Sequence, residues 1–396
     1  MYKQTRKRRQ PITINSDNLK TSRVSTILKN KGKPTVEHVR KPRATNQSPY
    51  TDTKITSNIA IKPIITVPKK VFKPSNNIPK KMSFFWAGKT MSWLRFMTIY
   101  SFSTLNPEWE VILYHGTADP TQRSWTCPNM QDFLYPDMDD DYFHLVARLP
   151  NVEVIEDWSL IREGIPYNKS IKWDNLAPVH KCDILEWKIL AEEGGFFADF
   201  DILFIRPMDK LFNDLKRRNI QTGFCYQNLE EKGTKYFSIG FLCSNVVNKF
   251  YDDIYKWAIT HYDPTKYQST GAFVLYCLLS DGKITQRTTN SSSQELWLAT
   301  NNLEKIIKYK YPYSRMFNFE MNTVYPYTWR DLHELYVKNN VGSIPRETIG
   351  LHWYGGSEAS QMFNRSLTQG NWRDYNNTIC NAMEKFITFD GKLLRK

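Results

Sequence analysis

Asp199-Phe200-Asp201 is the sharpest chemical feature of the chain, two carboxylates one residue apart inside the otherwise apolar run FFADFDILFI. In an extended strand, residues i and i+2 project to the same side. Two like charges held there out of water cost several kcal/mol unless a cation sits beside them. The pair is therefore expected at the carboxyl edge of a sheet, where open α/β folds bind ligands. Hard oxygen donors of this kind suit Mg²⁺ or Mn²⁺, ions that keep coordination positions for water and substrate phosphates. Two solvated carboxylates in a turn are the plain alternative. A phosphatase using the first Asp as nucleophile also wants Thr two positions after the second, and Leu203 stands there.

The elements that must position this pair are written in the hydrophobic pattern. Residues 82–87 (MSFFWA) suit a buried strand. Ser92 can cap a helix over 92–104, in which Trp93, Phe96, Met97 and Tyr100 recur at helical intervals. Asn106-Pro107 ends that helix, and 109–114 (WEVILY) reads as a second strand, so the opening is βαβ and predicts a parallel sheet. A short strand follows at 152–155. Residues 181–193 form a helical stripe stopped by Gly194-Gly195, and 196–205 read as one central strand. Strands at 222–226 and 236–243 and helices at 247–260 and 270–279 complete the predicted set. The aromatic-rich stretch from Tyr311 to Trp329 shows no clear period.

Charge divides the 396 residues in two. Residues 1–77 hold 18 Lys and Arg against three acids (Asp17, Glu37, Asp52), whereas the remainder is near neutral. The same segment has seven prolines, no Trp, and only Tyr2, Tyr50 and Phe72 as aromatics. Such a composition cannot offset its ordering entropy by apolar burial, so a disordered basic tail is expected over 1–77 and one folded domain over 78–396. The tail reads as a flexible tether, or as a loose electrostatic contact with an anionic surface. No apolar run approaches the roughly 20 residues of a membrane span. Lys3, Arg6, Lys7, Arg8 and Arg9 have a signal peptide's charge, but Pro11, Asn15 and Asp17 stand where its apolar core belongs. Six dispersed cysteines without a CxxC pair read as reduced thiols, and the expected compartment is cytoplasmic.

Several of these motifs, in order, resemble the DXD-containing glycosyltransferases of family 32. Lys181-Cys182-Asp183-Ile184-Leu185 leading through Gly194-Gly195-Phe196-Phe197-Ala198 to Asp199-Phe200-Asp201 looks like the family signature. Ile78-Pro79-Lys80 with Phe85-Trp86-Ala87-Gly88 is similar to its opening strand, and Leu105-Asn106-Pro107-Glu108-Trp109-Glu110 to its turn into the second strand. Thr270-Gly271 resembles a later segment, and Leu351-His352-Trp353-Tyr354-Gly355-Gly356-Ser357 the C-terminal strand and loop.

The resemblance implies an α/β fold of GT-A type, a Rossmann-like mixed sheet flanked by helices, and a hexosyltransferase acting on a nucleotide-sugar with Mn²⁺ or Mg²⁺. It implies that Asp199, Asp201 and His352 hold the metal. It further implies that Trp86 stacks on the base and that Asp183, Lys188, Gly194, Gly195, Trp353, Gly355 and Ser357 contact or enclose the donor. Where the family often has Arg three residues after the helix Asp, this chain has Glu186, so the cationic contact is expected to be lost or to pass to Lys188. Core packing of Trp86 and His352 and helix capping by Asp183 are the plain readings of those residues. Relatives mostly retain anomeric configuration, and no carboxylate here is assignable as a nucleophile. The acceptor is a glycan, protein or lipid. The competing reading is an inactive GT-A domain that serves as a binding protein, tethered to nucleic acid or an anionic surface by the tail.

Overall fold

The computed structural model describes residues 72–88, 90–116, 123–127, 130–133, 140–156, 176–229, 234–279 and 303–392. The expectations for the tail through residue 71 lie outside these residues. Ser75 and Asn76, on the tail side of the expected boundary, already bond to the body. Ser75 donates its N–H to the Val246 carbonyl (3.4 Å), and Gln221 Nε2 donates to Asn76 Oδ1 (2.8 Å).

In chain order the elements are β1 (Lys81–Ala87), α1 (Trp93–Leu105), β2 (Glu110–Gly116), β3 (Arg123–Cys127), β4 (Met130–Phe133), α2 (Phe143–Val146), β5 (Val152–Ile155), α3 (Pro178–Glu192), β6 (Gly195–Ala198), β7 (Ile202–Phe204) and α4 (Asp209–Arg217). They continue with β8 (Thr222–Leu229), β9 (Thr234–Ser244), α5 (Lys249–Thr260), α6 (Ala272–Leu278), α7 (Leu303–Lys310), β10 (Met316–Asn318), α8 (Leu332–Tyr336), β11 (Gly350–His352), α9 (Glu358–Ser366) and α10 (Thr378–Phe386). Seven strands form one sheet in the order β10-β8-β9-β6-β1-β2-β5. Within it β1 pairs parallel with β2 and β6, while β9 runs antiparallel to both β6 and β8. The βαβ opening is therefore parallel, as the sequence predicts.

Both faces of the sheet are covered, and period-two alternation sorts the side chains. From β1, Met82, Phe84 and Trp86 join the core beneath α1 and the C-terminal elements, whereas Phe85 and Ala87 join the core beneath α3, α5 and α6. The central strand β6 does the same, sending Phe196 and Ala198 one way and Phe197 the other. Near-continuous apolar strands follow from this double burial.

Local signals set the element ends near the site. Ser92 Oγ accepts from Arg95 N (3.3 Å) and starts α1. At the other end Asn106 is buried and satisfies three segments. Its Nδ2 donates to the Phe102 carbonyl (2.9 Å), its Oδ1 accepts from Met208 N (2.7 Å), and its carbonyl accepts from Asn151 Nδ2 (3.0 Å). Helix α3 stops where Gly194 takes φ +69°, and a side chain there would collide with Ser244 and Asn245 backbone at 2.7 Å.

One strand differs from its predicted form. The apolar run 196–205 is two strands in two sheets. After Ala198 the chain makes one last bond, Asp199 N to the Gly240 carbonyl (2.9 Å), then turns, and β7 pairs antiparallel with β11 outside the main sheet. A continuous strand would have carried both carboxylates into the packed sheet, whereas the turn delivers them beyond its edge.

Candidate metal and donor site

Asp199 and Asp201 occupy the turn at the carboxyl end of β6, and β11 brings His352 against them from the C-terminal third. His352 Nε2 lies 3.1 Å from Asp201 Oδ1 and 3.5 Å from Asp199 Oδ2, and all three residues can bring a ligand atom within 4.8 Å of one another. Three ties fix the arrangement. Trp353 N donates to the Asp201 carbonyl (2.9 Å), Gly355 N to Asp201 Oδ2 (2.6 Å), and His352 N to the Val324 carbonyl (2.8 Å). Asp199 presses on β9 so closely that a Cβ on Gly240 would collide with its Oδ2. The rings of Tyr354 and Tyr325 pack on His352 with centroids 4.2 and 5.1 Å away.

This geometry separates the ionisation of the pair. Burial alone would raise the Asp201 carboxyl, but His352, Arg95 and the Gly355 N–H outweigh it and bring it down to about 2. Burial likewise opposes charge on His352, yet Asp201 and Asp199 hold its pKa up at about 9. Without a cation the imidazole itself is thus the positive charge between the carboxylates. Asp201 Oδ1 is buried and faces that ring without an aligned hydrogen-bond donor, and His352 Nδ1 is buried with no hydrogen-bond partner. Two carboxylates and one imidazole nitrogen form a donor set of the kind that holds a divalent cation.

A second set of acids lines the same region from α3. Asp183 is not a helix cap, because it sits in the second turn of the helix. It is buried there and accepts from Thr270 Oγ1 (2.8 Å). Burial, opposed by that hydrogen bond and assisted by Asp199, raises it to about 8. Glu186, one turn on, is 1 % exposed, its Oε1 has no hydrogen-bond partner, and burial with Asp199 and Asp183 pushes it well above the usual carboxylate range.

Other expected donor residues stand elsewhere. Lys188 points away, pairing with Glu192 (2.7 Å) over the Tyr255 ring (5.3 Å), since a residue two positions from Glu186 cannot share its helix face. Gly194 and Gly195 form the turn at the amino end of β6, roughly 13 Å of strand from Asp199, and serve its tight approach to Lys81 and Asn245. Ser357 is the cap of α9, accepting from Ser360 N (3.2 Å). Trp86 reaches the site but is 5 % exposed, packed on Phe200 (centroids 5.7 Å) and under the Arg95 guanidinium (5.3 Å), which leaves little ring surface for a base. Trp353 is fully buried against the same guanidinium at 4.5 Å.

Arg95 itself is absent from the sequence-derived set. Its only signal is that it is the one charged residue in the sequence of α1. Gly240, whose missing side chain makes room for Asp199, carries no local signal at all.

No protein family matches the sequence, and no curated protein matches it. Solved structures that it resembles include the PaToxG glycosyltransferase, at 14 % identity over 60 % of this chain and 80 % of that one, with a TM-score of 0.31. Mouse xyloside xylosyltransferase 1 in its apo form is 10 % identical over 61 % of this chain and 85 % of that one, with a TM-score of 0.32. The bifunctional glycosyltransferase WbbM is 10 % identical over 77 % of this chain and 53 % of that one, with a TM-score of 0.37.

Proposed function

We propose that the chain is a metal-dependent glycosyltransferase of GT-A type, related to family 32, that moves a hexose from a nucleotide-sugar to a glycan, protein or lipid acceptor. The observation that carries this reading is the convergence of Asp199, Asp201 and His352 beyond the carboxyl end of β6, on segments 150 residues apart in sequence. Asp199, Asp201 and His352 would hold Mn²⁺, or Mg²⁺ in its place. The ion would supply positive charge to the departing diphosphate. The Gly355 N–H and the buried Arg95 fix Asp201 in place beforehand, so little reorganisation is needed when charge develops.

Asp183, oriented by Thr270, accepts hydrogen bonds from hydroxyls of the donor. Glu186 stands beside it where relatives carry a cation, so the donor meets no positive side chain at that position. Gly355 and Gly356 border the donor, and Trp353 and Trp86 support the site from beneath. Transfer proceeds with retention, as in most members of the family it resembles, by a front-face displacement that needs no nucleophilic carboxylate, and none is placed as one among the described residues. Residues 78–396 form the catalytic domain and 1–77 a basic tether for an anionic surface. Among the described residues no helix is long and apolar enough to cross a membrane.

The test is donor hydrolysis with Mn²⁺ across UDP-glucose, UDP-galactose, UDP-N-acetylglucosamine and GDP-mannose. The wild type runs beside an Asp199→Asn/Asp201→Asn double variant. Metal-dependent turnover of one donor, lost in the variant, is expected. Equal turnover in both proteins, or none with any donor, overturns the reading.

A further inference from the structure

Arg95 is the one charged residue of α1. It is 9 % exposed, in the first turn of a helix that is otherwise buried almost all round. A buried charge costs several kcal/mol unless its surroundings compensate it, and a Leu or Met would fill the same space without that cost. The compensation comes from three distant segments. Nη1 donates to the carbonyl of Phe200, the residue between the two carboxylates, at 2.5 Å. The guanidinium carbon lies over two indole rings, 4.5 Å from the Trp353 centroid and 5.3 Å from the Trp86 centroid. Nη2 rests against Gly355 so closely that any side chain on that glycine would collide with it. A planar fork that contacts aromatic rings while donating at its rim is a job for Arg and not for Lys.

We infer that Arg95 is the positioning residue of the metal site, a buried clamp that holds the Asp199–Asp201 turn and the 352–355 segment in register. The inference rests on the proposed metal-dependent reading. The clamp touches neither metal nor donor. It grips the peptide joining the two carboxylates and the backbone whose Gly355 N–H binds Asp201. Its loss lets the two segments drift apart, so three ligand groups that now converge would have to be gathered by the ion. Loss of groups that orient metal ligands lowers metal affinity by about 10- to 100-fold.

Arg95→Met keeps length and apolar packing but removes charge and fork, and Arg95→Lys keeps charge alone. Full-length proteins are titrated with Mn²⁺, reading the free ion by electron paramagnetic resonance, and turnover is followed against Mn²⁺ concentration. In Arg95→Met the Mn²⁺ Kd is expected to rise at least tenfold, with turnover largely recovered at saturating Mn²⁺; Arg95→Lys falls in between. A purely structural role would shrink the folded fraction and leave the Kd of the remainder unchanged. Hydrogen exchange of the metal-free proteins supplies an independent arm. Peptides covering 199–201 and 352–355 should exchange faster in Arg95→Met, while those from β1 and β9 stay as in the wild type. Gly355→Ala, which pushes the guanidinium aside without deleting it, should reproduce both effects. A Kd within twofold of wild type in Arg95→Met, or exchange that is unchanged at the two segments or faster everywhere, overturns the clamp. A wild type that takes up no Mn²⁺ instead contradicts the proposed function, and the exchange arm then decides the clamp alone.

Discussion

Metal uptake should be strongly pH-dependent because His352 must lose a proton to become a ligand. Its pKa stands at about 9, held there by Asp201 and Asp199 against the effect of burial. At pH 7 only roughly one molecule in a hundred has the neutral imidazole that a cation requires. Proton competition therefore weakens apparent affinity about 100-fold at pH 7, or about 3 kcal/mol, relative to a pH above 9. Asp201, brought down to about 2, is ionised throughout and adds no slope in this range. Mn²⁺ titrations from pH 6.5 to 8.5 should show the Kd falling about tenfold per unit, with about one proton released per ion. His352→Gln should bind more weakly and with a clearly shallower profile, the remaining slope coming from Asp183 at about 8. A wild-type Kd that varies less than twofold over this span, or binding without proton release, refutes the reasoning. The ion pair also sets the stability of the metal-free protein. A raised histidine pKa contributes stability in full below the unfolded value near 6.5, and this is lost as pH rises through about 9. Metal-free Tm should accordingly decline on that rise while the gain in Tm from Mn²⁺ grows.

Three further outcomes test other parts of the account. Gly240→Ala places a methyl against Asp199 Oδ2, so Mn²⁺ affinity should fall at least tenfold with the far-ultraviolet dichroism of the sheet intact; unchanged affinity would show that Asp199 needs no such seat. Glu186→Met should raise Tm and lower donor turnover together, since a buried carboxyl whose Oε1 has no hydrogen-bond partner is retained at a cost in stability; a fall in Tm would mean that Glu186 is structural. Asn106→Ala removes two buried side-chain hydrogen bonds, one to the Phe102 carbonyl that ends α1 and one from Met208 N that joins α1 to the 206–209 turn, and should cost about 2–3 kcal/mol by urea unfolding, whereas a change under about 0.5 kcal/mol would deny that role.

Much of the positioning framework was legible before any coordinates. Period-two and helical patterns located β1, α1, β2, β5 and α3, because burial on both sheet faces writes itself as dense apolar runs. The Ser92 cap, the Asn106 turn and the Gly194 stop were readable because each rests on local backbone chemistry. Apolar density could not show the break at Asp199, since β6 and β7 are equally apolar and differ only in which strand each pairs with. The Asp199, Asp201 and His352 set came from motif chemistry and resemblance, and the structure brings the three together. Of the two outcomes the resemblance left open for the cationic contact, its loss and its passing to Lys188, the pairing of Lys188 with Glu192 favours the first, and sequence alone could not choose because both sides of α3 are buried. Arg95 was missed because its partners at 86, 200 and 353 are distant in sequence.

The most direct test of the account is anomalous diffraction at the manganese edge from crystals soaked with Mn²⁺ and UDP or GDP. The account predicts one strong peak bounded by carboxylate oxygens of Asp199 and Asp201 and by His352 Nε2, absent in the Asp199→Asn/Asp201→Asn variant. A bound nucleotide with no peak between these three residues, or a peak at some other set of ligands, would contradict it.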